Sequence, residues 1–307
     1  MGSLTRMTTR SAPFGRVLTA MVTPFTAEGA LDLDGAQVLA RHLVEQGNDG
    51  LVISGTTGES PATSDREKSD LLNAVVAAIG DRCAVLAGVG TSDTAHSVEL
   101  ARAAASAGAA GLLLVTPYYN KPPQAGVVAH CRAVADATDL PVMLYDIPGR
   151  SGIAMSTDTL VTLAAHPRIV AVKDAKLDLE ATSWVLKRTD LAYYCGHDPW
   201  TLPLLSIGAA GIVGTSTHLT AGGTRELIDA FLTGDLARAR KLHEQLLPVY
   251  SGIFRTQGTI LVKAALRELG LPAGPVRLPL VDATADELTL LRADFADAGI
   301  EFGDGAA

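Results

Sequence analysis

The chain has 307 residues, 48% of them hydrophobic and 19% charged, with a formal net charge of −8. That composition supports a large buried core and excludes a disordered chain, and the acidic balance removes the electrostatic case for nucleic acid or an anionic membrane. No apolar run reaches the roughly 20 residues that a membrane span needs.

Residues 1–13 hold Arg6 and Arg10 but no apolar core like that of a secretory signal. They are expected to be a flexible N-terminus ahead of a soluble, cytoplasmic protein. Short apolar runs then recur at Val17–Val22, Leu51–Ile53, Ala84–Ala87, Gly111–Val115, Pro141–Tyr145, Ile169–Val172, Leu191–Cys195 and Gly211–Val213. Runs of this kind read as strands buried on both faces, as in a parallel sheet. Between them the apolar residues take helical spacing, as in Leu33, Val38, Leu39 and Leu43, or Leu71, Leu72, Val75, Val76 and Ile79. Start signals agree: Asp32 precedes the first helix, Ser64 and Glu67 form a capping-box pair before the second, and Ser156 precedes Thr159 and Leu160. Gly47, Gly80, Gly108 and Gly208 stand where helices should end.

Eight strands alternating with helices predict an α/β protein, a (β/α)8 TIM barrel over residues 14–233. A doubly wound open sheet is the runner-up, disfavoured because no Gly-x-Gly-x-x-Gly fingerprint follows the first strand. Helical patterns continue over Thr224–Leu232, Leu236–Leu247, Ile260–Leu269 and Ala285–Ala298. The first is expected to close the barrel and the others to form a C-terminal helical extension over residues 234–307.

In such a barrel, polar groups at the C-terminal strand ends meet at one mouth. The sixth run ends in Val172-Lys173-Asp174. An ammonium that loses hydration there has a lowered pKa and is a better nucleophile, unless the side chain simply reaches water. The second run leads into Ser54-Gly55-Thr56-Thr57-Gly58-Glu59-Ser60, a tight turn whose N–H groups and hydroxyls suit a carboxylate or phosphate. The fourth ends in Thr116-Pro117-Tyr118-Tyr119-Asn120-Lys121-Pro122-Pro123, whose tyrosines serve either packing or proton transfer. The fifth ends in Tyr145-Asp146-Ile147-Pro148-Gly149-Arg150. It brings a phenol toward a lysine on the neighbouring strand, and an arginine suited to a two-pronged grip on a carboxylate.

This set fits an amine that attacks a ketone and expels water, leaving an iminium that acidifies the adjacent carbon. The enamine then attacks an aldehyde, with phenols and a threonine hydroxyl moving the protons. No metal is called for, since His42, His96, His130, His166, His197, His218 and His243 show no ligand cluster. His197 and His218 stand nearest to strand ends. Cys83, Cys131 and Cys195 show neither zinc nor disulfide spacing and are expected to be small core residues in a reducing compartment.

Four segments carry a family resemblance: Gly-Thr-Thr-Gly-Glu at 55–59, Pro-Tyr-Tyr-Asn-Lys-Pro at 117–122, Tyr-Asp-Ile-Pro-Gly-Arg at 145–150 and Val-Lys-Asp at 172–174. In this order they resemble the dihydrodipicolinate synthase family, among the class I pyruvate aldolases typified by N-acetylneuraminate lyase. The likeness runs from about Gly15 to Ile300. It implies a lyase that condenses pyruvate with L-aspartate 4-semialdehyde to 4-hydroxy-tetrahydrodipicolinate, in lysine and diaminopimelate biosynthesis. By the resemblance, Lys173 forms the Schiff base with pyruvate and Tyr145 shuttles protons to it. Thr57 and Tyr119 complete the hydroxyl relay, while Tyr118 crosses a tight dimer interface to cap the neighbour's relay. Thr56 and Thr57 hold the pyruvate carboxylate, Arg150 receives that of the semialdehyde, and Gly196 with the backbone of Val213 lines the floor. No cofactor beyond the Lys173 imine is implied, and a homo-oligomer, commonly a dimer of dimers, is.

A keto-sugar-acid lyase or dehydratase of the same superfamily is the alternative, against which Arg150 and the Thr56-Thr57 pair speak. A catalytically silent barrel would lack Lys173, Tyr145 or the Thr57 hydroxyl. Two departures bear on pocket shape. His197 stands where the family usually has an acid, and Ile212-Val213-Gly214-Thr215 where an Ile-Ser pair is frequent. His96, Ser92, Asp65 and Lys68 occupy positions at which lysine-inhibited relatives carry a glutamate, an asparagine and histidines, so lysine feedback is expected to be weak or absent.

Overall fold

Each of the eight apolar runs is a strand in a computed structural model that describes residues 11–302. They are β1 Val17–Ala20, β2 Gly50–Ile53, β3 Ala84–Gly88, β4 Gly111–Val115, β5 Val142–Asp146, β6 Ile169–Asp174, β7 Ala192–Cys195 and β8 Gly211–Gly214. All pair in parallel and in chain order, and β8 returns to β1 in the register Val17↔Ile212, Leu18↔Val213, so the barrel is closed. The strands are apolar throughout because both faces are buried. Leu18, Ala20, Val52, Leu86, Leu113, Met143, Ala171 and Val213 fill the barrel, while Val17, Leu51, Ile53, Val85, Leu112, Leu144 and Val172 meet the surrounding helices.

Those helices are α1 Leu33–Glu45, α2 Asp65–Ile79, α3 Thr94–Ser106, α4 Gln124–Asp136, the single turn α5 Pro148–Ser151, α6 Thr157–Ala164, α7 Leu179–Arg188, α8 Thr201–Ser206 and α9 Thr217–Thr233. The expected caps are made: Asp32 accepts from Gly35 N at 2.8 Å, Ser156 accepts from Thr159 N at 3.1 Å, and Ser64 and Glu67 bond reciprocally. Beyond the barrel lie α10 Leu236–Gly252, α11 Gly258–Glu268 and α12 Ala285–Asp297. No helix of the described residues is long and apolar enough to cross a membrane.

Most boundaries shift by a residue or a few, and two of the differences bear on the site. β6 runs on through Asp174, which puts Lys173 inside the strand rather than just past it. α9 begins at Thr217, seven residues before the expected Thr224, in a stretch with no apolar period to mark it. That turn is built on polar bonds. Buried Asp198 accepts from Ser216 N at 3.1 Å and Ser216 Oγ at 2.6 Å, and Thr220 Oγ1 donates to Ser216 O at 3.0 Å. His218 ties the seam beside it, with Nε2 accepting from Val22 N at 3.0 Å and Nδ1 donating to Thr215 O at 2.7 Å. Burial pulls that imidazole down to about 4, so it is a neutral structural tie.

The expected N-terminal segment falls, for residues 1–10, outside the described residues. Phe14 plugs the end of the barrel away from the strand mouths, its N–H donating to Tyr194 Oη at 3.3 Å. The extension, for its part, returns to the mouth. Its 271–277 segment crosses the backbone of Phe25 so closely that a Cβ on Gly274, at φ +66°, would lie 1.8 Å from Phe25 O.

Candidate active site

Lys173 and Tyr145 are register partners across β6 and β5, so parallel pairing alone places amine and phenol side by side on the inward face. Lys173 Nζ lies 4.4 Å from the centroid of the Tyr145 ring, and each residue is only 4% exposed. Burial pulls the Lys173 ammonium down to about 8, reinforced by Arg150 and opposed by Asp198 and Cys195. Burial also pushes the Tyr145 phenol up to about 12, with the Arg150 charge and the neighbouring Thr56 hydroxyl drawing it back. At neutral pH the pair is therefore an amine with an appreciable free-base fraction beside a protonated phenol. Gly196 makes room for the amine: a Cβ there would meet Lys173 Cγ at 3.0 Å, Lys173 Cε at 3.1 Å and Asp174 O at 3.0 Å.

The Gly-Thr-Thr-Gly-Glu turn follows β2. Its Gly58 and Ser60 N–H groups donate to Gly55 O and its Glu59 N–H to Thr56 O, at 3.1–3.3 Å. The N–H groups of Thr56 and Thr57 have no backbone acceptor among the described residues, the condition for a turn that receives an anion. Successive side chains of the turn go to different partners. Thr56 is the hydroxyl that faces the Tyr145 phenol, whereas Thr57 Oγ1 lies 3.1 Å from Thr215 Oγ1. The hydroxyl beside Tyr145 is thus Thr56, while that of Thr57, expected beside the phenol, meets Thr215.

Lys173 opens into a cavity of about 370 Å³ that Thr56, Thr57, Tyr145, Arg150, Gly196 and His197 also line. Arg150 reaches it from α5, exposed and without an ion pair among the described residues. The Val213 side chain packs inside the barrel at 1% exposure, which leaves only its backbone, the part expected on the floor, to face the site, and Thr215 forms the wall at the end of β8. Thr56, Tyr145, Ile147 and Arg150 are also one wall of a second cavity of about 390 Å³. Tyr118 and Tyr119 line that one and not the lysine cavity; Tyr119 is 90% exposed at φ +72°. Within one chain, neither tyrosine joins Lys173.

His197 lies in the lysine cavity with its ring 6.0 Å from that of Phe254. Phe254, Gln257, Gly258 and Thr259 complete the wall from the C-terminal extension, to which sequence reasoning assigned no part in the site. No local pattern marks them, because they reach the mouth only through the packing of α11. The three cysteines are free and buried, and burial raises their thiols well above the reactive range.

The sequence model of the dihydrodipicolinate synthetase family matches residues 13–298. The 4-hydroxy-tetrahydrodipicolinate synthase of Acidothermus cellulolyticus is 67% identical over 298 residues, covering 97% of each chain. The second such synthase of Streptomyces coelicolor is 60% identical, covering 95% of this chain and 98% of its own. Among solved structures, that of the lysine-bound enzyme from Cyanidioschyzon merolae superimposes with a TM-score of 0.93 at 42% identity, covering 95% of this chain and all of that one. With barrel, lysine and anion turn in one frame and relatives matching end to end, the chain belongs to the dihydrodipicolinate synthetase family.

Proposed function

We propose that the protein condenses pyruvate with L-aspartate 4-semialdehyde to 4-hydroxy-tetrahydrodipicolinate, the reaction named for its relatives, in lysine and diaminopimelate biosynthesis. The observation that carries this reading is the buried Lys173, without an ion-pair partner among the described residues, beside Tyr145 in a cavity that Arg150 also lines. The free-base amine attacks the keto carbon of pyruvate, and water leaves as the imine forms. Tyr145, with Thr56 next to it, carries protons to and from the departing oxygen and the carbon acid. Loss of a proton from the methyl group gives the enamine, whose carbon bonds to the aldehyde carbon of the second substrate. The amino group of that substrate closes the ring at the imine carbon and releases Lys173. The Thr56 and Thr57 N–H groups hold the pyruvate carboxylate, and Arg150 holds that of the semialdehyde. The covalent imine serves in place of any cofactor.

A homo-oligomer in the cytoplasm, built as a dimer of dimers, completes the proposal. A tyrosine standing 90% exposed in a left-handed conformation supports a use beyond its own chain. The decisive experiment is borohydride reduction with pyruvate, peptide mass mapping, and then a panel of aldehydes. The expected result is pyruvate-derived mass on Lys173 and turnover of aspartate semialdehyde. Mass on another residue rejects the site, and turnover of sugar aldehydes alone rejects the substrate.

A further inference from the structure

Glu59 lies in the same turn as the two threonines, at φ +53°, and its side chain is 1% exposed. A carboxylate so deeply buried persists only with partners. Those partners come from the C-terminal extension. Lys263 Nζ, on α11 and fully buried, lies 2.6 Å from Glu59 Oε1, and Arg277 N–H donates to Glu59 Oε2 at 2.8 Å. Lys263 in turn donates to Pro275 O at 2.8 Å, and both Lys263 and the Arg277 guanidinium stand 4.1 Å from the centroid of the Phe25 ring. Arg277 is anchored again on Glu67, at 2.6 and 3.0 Å. One turn before Lys263 on α11, Thr259 Oγ1 donates to Thr57 O at 3.1 Å.

We propose that the C-terminal extension sets the shape of the anion turn, with Thr259, Lys263 and Arg277 as positioning residues that act through the Thr57 carbonyl and the Glu59 carboxylate. The peptide bearing the Thr57 N–H lies between two pinned carbonyls. Gly55 O is held from inside the turn by Gly58 and Ser60, and Thr57 O is held from α11. Past Gly58, whose carbonyl accepts from Thr23 Oγ1 at 2.6 Å, the chain is held again at Glu59. The peptide's own carbonyl, Thr56 O, accepts from the Glu59 N–H at 3.2 Å, so releasing both Glu59 and Thr57 O from the extension loosens the peptide together with its anchor, and its N–H leaves the line toward a carboxylate. Stability alone does not account for the arrangement, because a well-packed apolar pair in place of a buried ion pair is commonly neutral or stabilising. A charge pair between segments 204 residues apart fixes a direction, which apolar packing does not.

The inference rests on the proposed reading of pyruvate as the ligand of the turn, and the tests separate the two. Thr259→Val removes one hydrogen bond, and the double variant Glu59→Gln/Lys263→Met removes the ion pair without leaving a lone buried charge. Each is compared with the parent for the pyruvate concentration that half-saturates borohydride trapping on Lys173, for both KM values, and for the melting temperature. The expected outcome is a half-saturating pyruvate concentration raised several-fold in Thr259→Val and about tenfold in the double variant, with the semialdehyde KM within about twofold of the parent. Unchanged pyruvate dependence in both variants overturns the proposal. So does a loss spread equally over both substrates, which marks a merely structural role. If Thr259→Val alone folds, it decides by itself. If the parent traps no pyruvate, the functional reading fails first.

Discussion

The free-base fraction of Lys173 is the quantity on which the chemistry turns, and it can be measured by titration. A lysine at its usual 10.5 is about 0.03% neutral at pH 7, whereas one drawn to about 8 is about 9% neutral, a roughly 300-fold difference in competent enzyme. Most of that change comes from burial, since Lys173 is 4% exposed and its Nζ faces an aromatic ring rather than a carboxylate. The perturbation is pH itself, stepped from 6 to 10.5 in the absence of substrate. The assay is competitive labelling with trace isotopic acetic anhydride, quantified on the Lys173 peptide against an added reference amine, Nα-acetyl-lysinamide. Labelling of Lys173 should climb about tenfold per pH unit at first and level off near pH 8, while that of the reference keeps climbing toward 10.5. Arg150→Gln removes a nearby positive charge that favours the neutral amine, so its midpoint should move upward, by less than the shift burial produces. A Lys173 profile still rising in step with the reference at pH 10 would refute the reasoning.

Gly196→Ala should slow pyruvate-dependent borohydride labelling about tenfold, because the added methyl presses on Lys173 Cγ and Cε; a rate equal to the parent's sinks the crowding argument. Arg150→Ala should raise the semialdehyde KM about 30–100-fold, the loss of a charge-assisted contact, while pyruvate trapping changes far less. Asp146 is buried beside Asp174, and burial raises its carboxyl to about 6 against an ordinary 3.8, so the folded state holds its proton longer than the unfolded state does. Its contribution is full below about pH 4 and is lost as pH rises through 6, about 3 kcal/mol in all. Urea melts of Asp146→Asn should therefore gain about that much on the parent between pH 4 and pH 7, and a constant difference across that range disproves the assignment. Lysine at about 1 mM should leave activity almost unchanged, since His96 Nε2 already sits 2.8 Å from Asp65 Oδ2 and the ligand's ammonium would find that carboxylate occupied; inhibition below that concentration contradicts this.

The barrel was legible because its strands are apolar on both faces, and each of the eight runs is long enough to register without alternation. The neighbourhood of Lys173 and Tyr145 was legible for the same reason: both sit at the ends of adjacent strands, and parallel pairing does the rest. The division of labour between Thr56 and Thr57 was not. A tight turn has no periodicity, and which of two adjacent hydroxyls meets the phenol depends on torsions that no spacing records. The tyrosines at 118 and 119 could be placed at the mouth from the residues alone but were apportioned only by the family resemblance, and within one chain the wall they line belongs to a different cavity from that of Lys173. Glu59 was visible as the end of a motif, yet nothing near Lys263 or Arg277 in sequence points back across more than 200 residues to it.

The seam between β1 and β8 has a consequence for how the chain is made. Synthesis delivers β1 first, but its second neighbour and the His218 bond to Val22, 196 residues away, emerge only after most of the protein has left the ribosome. Until then two strand edges stand open, the circumstance in which chains pair with one another instead of with themselves. Helix α11 follows the seam, so the clamp on Thr57 and Glu59 arrives later still. An interrupted product that ends near Gly234 would own its nucleophile and all eight strands of its barrel, yet would lack the clamp on its anion turn and grip a keto acid poorly.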